Sequence, residues 1–527
     1  MLPPCVVHED DDLLVVNKPP GWNTHAPAPH AGEGIYDWLK HREPRWARLA
    51  ILHRLDKDTS GLLVFGKTTE ANRSLTQQFA AREVHKRYHL VTDRPLARDE
   101  FTVVSAIVRA GERYVAEPLA GEASRAETRF RVIDRTAGRT VLEAEPVTGR
   151  THQIRVHAAA QGLPILGDAL YGGGTAGRLH LHAAVLAFRH PRTGGLLRFE
   201  TSPDFVTPPA AQLRAAIIDP AATNAFREVH GGADGEPGWH RDRLGDWELL
   251  EGEDVPARME GPLPVRGVYF KRLLRQVRKT SAAEASPQLV AGSPAPERFP
   301  VRENGVTFEL SVAEGYSTGL FLDQRDNRRR LLTGHVAAGF PLHEPGVAAP
   351  ELLNCFAYTC AFSVCGALGG ARTTSLDLSR KYLDWGRRNF ELNGVDPAAH
   401  DFIYGDAFDW LKRLARKTRR FDVILLDPPT FSRAPGHGDF RAEADYGRLV
   451  SVALALLQSR GVLLASVNTA RLSALSFTEQ VHAAISEAGR QVVQEHYAPQ
   501  PPDFPVSRNT PAHLKTLWLR VGGPPES

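Results

Sequence analysis

The chain is expected to fold as several domains in series. These are an α+β region with a mixed, largely antiparallel sheet over residues 1–205, a linker over 206–222, a small α+β region with its own linker over 223–345, and a doubly wound α/β region over 346–527. Three observations predict this. Between residues 1 and 205, short β-rich runs (13–16, 62–65, 88–91, 141–145, 181–188) alternate with Gly/Pro turns and few helical stretches. From about residue 351 the apolar runs 352–356, 373–378, 402–404, 423–426 and 462–467 are separated by helical segments, the alternation of a parallel sheet covered on both faces. A chain of 527 residues is also too long for one hydrophobic core.

The junctions follow from composition. Pro203-Asp204 and Pro208-Pro209 close the first region, and Gly231-Gly232 with Gly235 mark a loop before a strand at 247–250. Residues 268–279 are basic and partly apolar, and 281–300, rich in Ser, Ala and Pro, read as a loop or linker. In the last region one helix is well marked: Ser379 can cap it, Leu383, Gly386 and Phe390 share a face, and Asn393-Gly394 ends it. No internal repeat is present.

Bulk properties exclude several classes. Apolar content of 42% with 24% charge is that of a globular protein, and a net charge of +3 means that any nucleic-acid contact must come from local Arg/Lys patches. Four cysteines (Cys5, Cys355, Cys360, Cys365) are too few for a disulfide framework and lack the paired spacing of a zinc site, so no metal is expected. The acidic N-terminus is no signal or transit peptide, and apolar runs such as 452–457 are far too short to span a membrane. A cytoplasmic, reducing setting without membrane contact or an obligate protein partner is the expectation.

Three motifs carry chemistry in the first region. His53-Arg54-Leu55-Asp56-Lys57-Asp58-Thr59-Ser60-Gly61 reads as a polar loop with a Ser-Gly turn, presenting Asp56 just before the apolar strand 62–65. A carboxylate so held suits covalent or electrostatic chemistry on a sugar. Gly149-Arg150-Thr151-His152-Gln153-Ile154-Arg155-Val156-His157 alternates polar and apolar residues, which as a strand places Gln153, Arg155 and His157 on one side. An inward Arg155 beside a carboxylate would keep it ionised and oriented. The third motif is Lys86-Arg87-Tyr88-His89-Leu90-Val91.

Together these runs, over about residues 5–205, resemble the RluA-type pseudouridine synthases. The resemblance implies that Asp56 attacks the target nucleotide and that Arg155 pairs with it. It implies further that Tyr88 stacks on the base and is the candidate proton acceptor, and that Arg54 enters the stack as the base flips out. No cofactor is implied for this half. Residues 165–172 and 181–183 are read as framework. The small RNA-binding domain that often precedes the catalytic one in that family is not expected here, and targeting is expected from elsewhere in the chain.

The last region points to methyl transfer. Ligands of a doubly wound sheet lie at the carboxyl ends of its strands, and here those ends carry polar residues. The turn Ala357-Tyr358-Thr359-Cys360-Ala361-Phe362 precedes a helix whose backbone amides can receive a methionine carboxylate. Asp377-Leu378 is placed for ribose hydroxyls, and Asp406-Ala407 for an adenine amino group. Three such ends in order are explained by S-adenosylmethionine. The fourth, Asp427-Pro428-Pro429-Thr430-Phe431, presents an acid and carbonyls from a stiff turn to a planar amine, with Phe431 available for stacking. With the run 318–325, which contains Asp323 and Arg325, these residues resemble the RlmI/RlmK-type ribosomal RNA methyltransferases over about 224–521. The resemblance adds Asp323 and Arg325 to the cofactor set.

Two departures matter. The usual Tyr-Thr-Gly turn is Tyr358-Thr359-Cys360, where glycine would let the backbone approach a ligand closely. Relatives that make 5-methylcytosine carry Ser-Cys-Ser after the strand at 462–465, whereas this chain has Ser466-Val467-Asn468-Thr469, without the thiol that adds to the ring. Transfer to a guanine nitrogen is therefore expected, within a bifunctional enzyme acting on ribosomal RNA, transfer RNA being the alternative. Lys86-Arg87, 271–279 and 328–330 are candidate RNA contacts. Rival readings are a methyltransferase half decayed to an RNA-binding module, or one acting on cytosine carbon, DNA or protein.

Overall fold

The computed structural model describes residues 2–119, 121–136, 138–254, 264–273, 286–314, 317–434, 438–507 and 510–523. The chain divides into two compact units, one formed by Met1–Pro27, Glu33–Trp38 and Arg48–Asp219, the other by Ala28–Gly32, Leu39–Ala47 and Pro220–Ser527.

The first unit is built on one large sheet with the strand order Val6–Glu9, Leu13–Lys18, Ser60–Gly66, Leu181–Arg189, His85–Thr92, Arg139–Pro146, Arg125–Thr136, Glu100–Ala110, Arg113–Glu117. Among the described residues only the pairing of Ser60–Gly66 with Leu181–Arg189 is parallel, so the expected antiparallel α+β character holds. Ser60–Gly66 is buried along its whole length because it runs through the middle of the sheet. The Ser-Gly pair expected as a turn is the start of this strand. Gly61, at φ +118°, is required there because a Cβ would overlap the carbonyl of Ala183 on the parallel neighbour. Residues 206–222 are more than a linker: Pro209–Ile217 forms a helix that opens on proline, and Ala216 O accepts from Cys5 N at 2.9 Å.

One expectation is overturned. Residues 153–160 form the helix Gln153–Ala160, not a strand. Burial decides this, since Gln153 to Ala158 are all buried and a short polar/apolar alternation cannot separate a half-buried strand from a helix packed all round. The Ala158-Ala159-Ala160 run is the helical signal. In a helix residues i and i+4 share a face while i+2 points away. Gln153 and His157 accordingly both reach Thr128 Oγ1, at 3.0 and 2.9 Å, and Arg155 turns to the opposite side.

The second unit holds a five-stranded sheet (Ala225–His230, His240–Leu244, Trp247–Gly252, Gly267–Arg272, Gln288–Gly292), a hairpin (Phe299–Glu303, Val306–Leu310) and a seven-stranded sheet. The last has the order Asp401–Tyr404, Arg372–Asp377, Glu351–Cys355, Phe421–Leu426, Leu457–Asn468, Leu514–Val521, Val492–Ala498. The first five strands are parallel, and Leu514–Val521 runs antiparallel between Leu457–Asn468 and Val492–Ala498, a Rossmann-like α/β sheet. Helix Arg380–Leu392 follows its sequence reading: Ser379 Oγ accepts from Tyr382 N at 3.3 Å, Leu383, Gly386 and Phe390 are buried, and Asn393 caps it before Gly394 at φ +69°. No helix among the described residues is long and apolar enough to cross a membrane.

Candidate active sites

The loop carrying Asp56 is pinned on both sides. Leu55 donates its N–H to Thr24 Oγ1 at 3.2 Å, and Thr24 Oγ1 donates to Leu55 O at 2.9 Å. On the far side the buried Lys18 Nζ donates to Lys57 O at 3.0 Å, while also holding Pro19 O at 2.9 Å and Trp22 O at 2.8 Å. Burial pushes the Lys18 ammonium down to about 7, against the pull of Asp58 and Asp56. The carboxylate thus stands on a braced loop, 28% exposed, in a cleft of about 960 Å³ that Arg54, Lys86, Tyr88, His152 and Arg155 also line.

Arg155 ties this cleft together. Its Nη1 donates to Asp56 Oδ2 at 3.3 Å, while Nε and Nη2 bind Asp168 at 2.7 and 2.8 Å. The bidentate partner is therefore Asp168, 2% exposed, which sequence reading left as framework. Burial works against the charge of Arg155, but the hydrogen bond and charge of Asp168, then the charge of Asp56, hold its pKa above the ordinary value. His152, at φ +56°, places Nε2 3.8 Å from Asp56 Oδ2, and its Nδ1 lies 2.8 Å from Tyr171 Oη. Burial lowers its pKa, Asp56 opposing, so the imidazole is neutral at pH 7. Asp168, His152 and Tyr171 were all missed as site residues. The usable signal was an acid isolated between Gly167 and an apolar turn.

Tyr88 stands on His85–Thr92 between Ala144 and Ala183 of the flanking strands, small neighbours that leave room beside its ring. Burial, then the charge of Asp56, pushes its pKa well up, so the side chain is a neutral phenol near pH 7. Arg54 is exposed at the cleft. Lys86 lines the same cleft, 5.8 Å over the Phe79 ring, and Arg87 lies 3.6 Å from Glu143.

In the second unit Asp377, Asp406 and Asp427 lie at or just beyond the carboxyl ends of three parallel strands. Asp377 braces the turn 357–362, accepting from Tyr358 N and Ser379 N, both at 2.8 Å. Asp406 caps helix Ala407–Arg416 through Asp409 N at 3.1 Å. The turn has Phe356, Tyr358 and Cys360 at φ +60°, +50° and +60°. Thr359 is held by Oγ1 donating to Gly319 O at 2.6 Å and by Asn389 Nδ2 donating to Thr359 O at 2.9 Å. Ala361 and Phe362 open the helix that follows. Leu378 and Phe321 leave 36% and 48% of their surface exposed, apolar area of the kind an adenosyl group covers, and the turn with its helix N-terminus and flanking acids fits S-adenosylmethionine.

Cys360 replaces glycine at a left-handed position, yet its side chain is fully buried and directed into helix Arg380–Leu392. Gly386 makes the space: a Cβ there would overlap Cys360 Sγ and lie 2.8 Å from Cys360 Cβ. Gly386→Ala is therefore expected to push the turn and weaken S-adenosylmethionine binding by about tenfold, from the ~1–3 kcal/mol of overpacking. Cys360→Gly in the same chain should restore it. Titration calorimetry of the two variants checks the pair, and failure of the second change to rescue the first would refute this account of the turn.

Asp427 Oδ2 accepts from Gln324 Nε2 at 3.0 Å, and its loop is fixed by Thr430 Oγ1 donating to Asn468 O at 2.7 Å and by Ala442 N donating to Thr430 O at 3.0 Å. Pro428 is buried, Pro429 exposed, and Phe431 opens the strand Phe431–Ala434. Burial first, then the charge of Asp323, pushes the Asp427 carboxyl up to about 6. Asp323 thus belongs beside Asp427, where its Oδ2 accepts from His513 Nε2 at 3.2 Å. Arg325, expected at the cofactor, is committed to Asp503 through two bonds of 2.7 Å and is 3% exposed. Arg328 and Arg330 are likewise no RNA contacts. Arg328 is buried on Glu303 with two bonds of 2.6 Å, and Arg330 Nε donates to Val336 O at 2.9 Å. Lys271 pairs with Glu251 at 3.1 Å, and residues 274–279 of that stretch lie outside the described residues.

These two sites define an RNA-modifying chain with an isomerase half and a methyl-transferring half. The RNA pseudouridylate synthase family matches residues 12–160, and the S-adenosylmethionine-dependent methyltransferase family matches residues 269–520. A ribosomal RNA large subunit methyltransferase of Deinococcus radiodurans is 32% identical over 325 residues, 58% of this chain and 76% of the relative. Ribosomal RNA large subunit methyltransferase I of Klebsiella pneumoniae is 31% identical over 322 residues, again 58% and 76%. Ribosomal large subunit pseudouridine synthase C of Yersinia pestis is 40% identical over 214 residues, 38% of this chain and 66% of the relative. The chain belongs to the RlmI/RlmK-type methyltransferase family and carries an RluA-type pseudouridine synthase domain in front, a bifunctional enzyme whose methyl donor is S-adenosylmethionine.

Proposed function

We propose that the first unit isomerises uridine to pseudouridine in large-subunit ribosomal RNA, and that the second methylates an exocyclic nitrogen of guanine in the same RNA, in the cytoplasm. Asp56 is the nucleophile toward the ribose, kept ionised and aimed by Arg155, with Asp168 fixing the guanidinium behind it. Tyr88 is the platform on which the flipped base stacks. Its raised pKa argues against the proton-accepting part of its expected role, which would require a phenolate. Arg54, exposed at the cleft, is free to fill the gap left by the extruded base, whose unstacking costs a few kcal/mol.

Bound S-adenosylmethionine supplies an electrophilic methyl group. Tyr358, Thr359, Cys360, Ala361 and Phe362 would receive its amino-acid end, Asp377 and Leu378 its ribose, and Asp406 and Ala407 its adenine. Asp427 and the Pro428-Pro429 turn accept the N–H bonds of the target amine, with Phe431 against its ring. The observation that carries the nitrogen reading is the state of the thiols. All four cysteines are buried, and burial raises the pKa of Cys355 and Cys360 to about 12 and that of Cys365 further, so none supports thiolate addition to cytosine. Val467, where the ring-adding thiol would stand, is fully buried.

Joining the two activities raises the effective concentration of the second catalyst near an RNA engaged by the first. Mapping modified bases in ribosomal and transfer RNA from cells with and without the gene tests the proposal. Pseudouridine and N2-methylguanine should vanish together from large-subunit ribosomal RNA, whereas loss of 5-methylcytosine would overturn the nitrogen assignment.

A further inference from the structure

A chain of side-chain hydrogen bonds ends on Asp427. Trp518 Nε1 donates to Asn327 Oδ1 at 3.0 Å, and Asn327 Nδ2 donates to Gln324 Oε1 at 2.6 Å. Gln324 Nε2 then donates to Asp427 Oδ2 at 3.0 Å and to Ser466 Oγ at 2.9 Å. Trp518, Asn327, Gln324 and Ser466 are all buried, and Thr516 Oγ1 closes the network, 3.3 Å from both Asn327 Nδ2 and Ser466 Oγ. The polarity of this chain is set at both ends. An indole N–H only donates, so it turns the carbonyl of Asn327 toward itself and the amide nitrogen toward Gln324. Gln324 is oriented in the same way by its neighbour. At the other end an ionised carboxylate only accepts. Either amide flipped would set donor against donor or acceptor against acceptor in a dry interior, so one orientation survives.

We propose that Gln324 is a positioning residue for methyl transfer, holding Asp427 as a hydrogen-bond acceptor aimed at the substrate amine through a one-way chain anchored on Trp518. This rests on the reading of Asp427 as the group that meets the amine. The surroundings show why such a device is needed. Burial and the charge of Asp323 push protons onto Asp427, while the hydrogen bonds from Ser466 and Gln324 and the charge of Arg328 work the other way. Tyr446, another titratable neighbour, donates Oη to Leu426 O at 2.9 Å and is held un-ionised by burial. Asp323 stays charged despite burial because His513 donates to it. Loss of the Gln324 donor therefore raises the Asp427 pKa from about 6 toward neutrality and removes the acceptor at low pH.

The test is the pH profile of methyl transfer by the full chain, from labelled S-adenosylmethionine to large-subunit ribosomal RNA extracted from cells lacking the gene. Gln324→Met keeps volume and removes the donor. It should move the acidic limb upward by about one pH unit, on top of any pH-independent factor from lost aim. Trp518→Phe touches neither Asp427 nor Gln324, and should move the limb the same way by less, because Asn327 is then released to turn over. A merely structural role lowers the rate by one factor at every pH. That outcome, or a limb unmoved in both variants, overturns the proposal. Should Gln324→Met fail to fold by its melting curve, Trp518→Phe decides alone. Asp427→Asn retaining the wild-type rate would instead overturn the reading of Asp427, and the proposal with it.

Discussion

Asp56→Asn is expected to lower pseudouridine formation by about 10⁴-fold or more, the scale seen when a catalytic nucleophile is removed, while methyl transfer by the same preparation continues at the wild-type rate. The amide keeps the shape of the side chain and an acceptor for Arg155 Nη1, so the cleft should survive the change. What disappears is the anionic oxygen that can bond to ribose carbon one. Release of tritium from carbon five of labelled uridine in RNA measures the first activity, and incorporation of labelled methyl the second. The separation is expected because Asp56 and Asp427 lie in different compact units. Residual isomerisation near the wild-type rate would remove Asp56 from the chemistry, and parallel loss of both activities would show that the units do not act independently.

Asp168→Ala should have the largest effect on stability. Asp168 and Arg155 have side chains 1% and 9% exposed, and the bidentate pair is the main compensation for a guanidinium taken out of water. Removing one partner of such a pair costs about 3–5 kcal/mol, because the other charge stays buried and unpaired. Freed of Asp168, Arg155 also loses the anchor that holds Nη1 against Asp56, so pseudouridine formation should fall with stability. Asp168→Asn, which still accepts one bond, should fall between. Hydrogen exchange of the peptide containing helix Gln153–Ala160 reads the effect within the first unit. Wild-type protection there in Asp168→Ala would show that the pair contributes little.

Much of this architecture could be read without coordinates. The strands at 352–356, 373–378, 402–404 and 423–426 lie within a residue or two of their observed bounds, and the run 462–467 falls inside the longer strand Leu457–Asn468, because a sheet buried on both faces leaves apolar runs between polar loops. The cap and stop of helix Arg380–Leu392 were legible for a similar reason, since capping is local chemistry between near neighbours. Residues 153–160 were not legible. Polar side chains on opposite sides of that helix find partners elsewhere in the unit, and a pattern rule that assigns the polar residues to water fails when those residues are buried.

The same division runs through the sites. Asp56, Asp377, Asp406 and Asp427 could be singled out as candidates because each sits in a short motif or just beyond a strand. Sequence could not reveal that Asp168 backs Arg155, that Arg325 and Arg328 are spent on Asp503 and Glu303, or that Gly386 makes room for Cys360. By itself the sequence determined the two chemistries, because each needs a few residue types at close spacing along one loop. Only the tertiary structure decided which charges are available for them. Ion pairing and amide orientation depend on partners far along the chain, 191 positions apart for Trp518 and Asn327, and such distances are closed by packing rather than by local pattern.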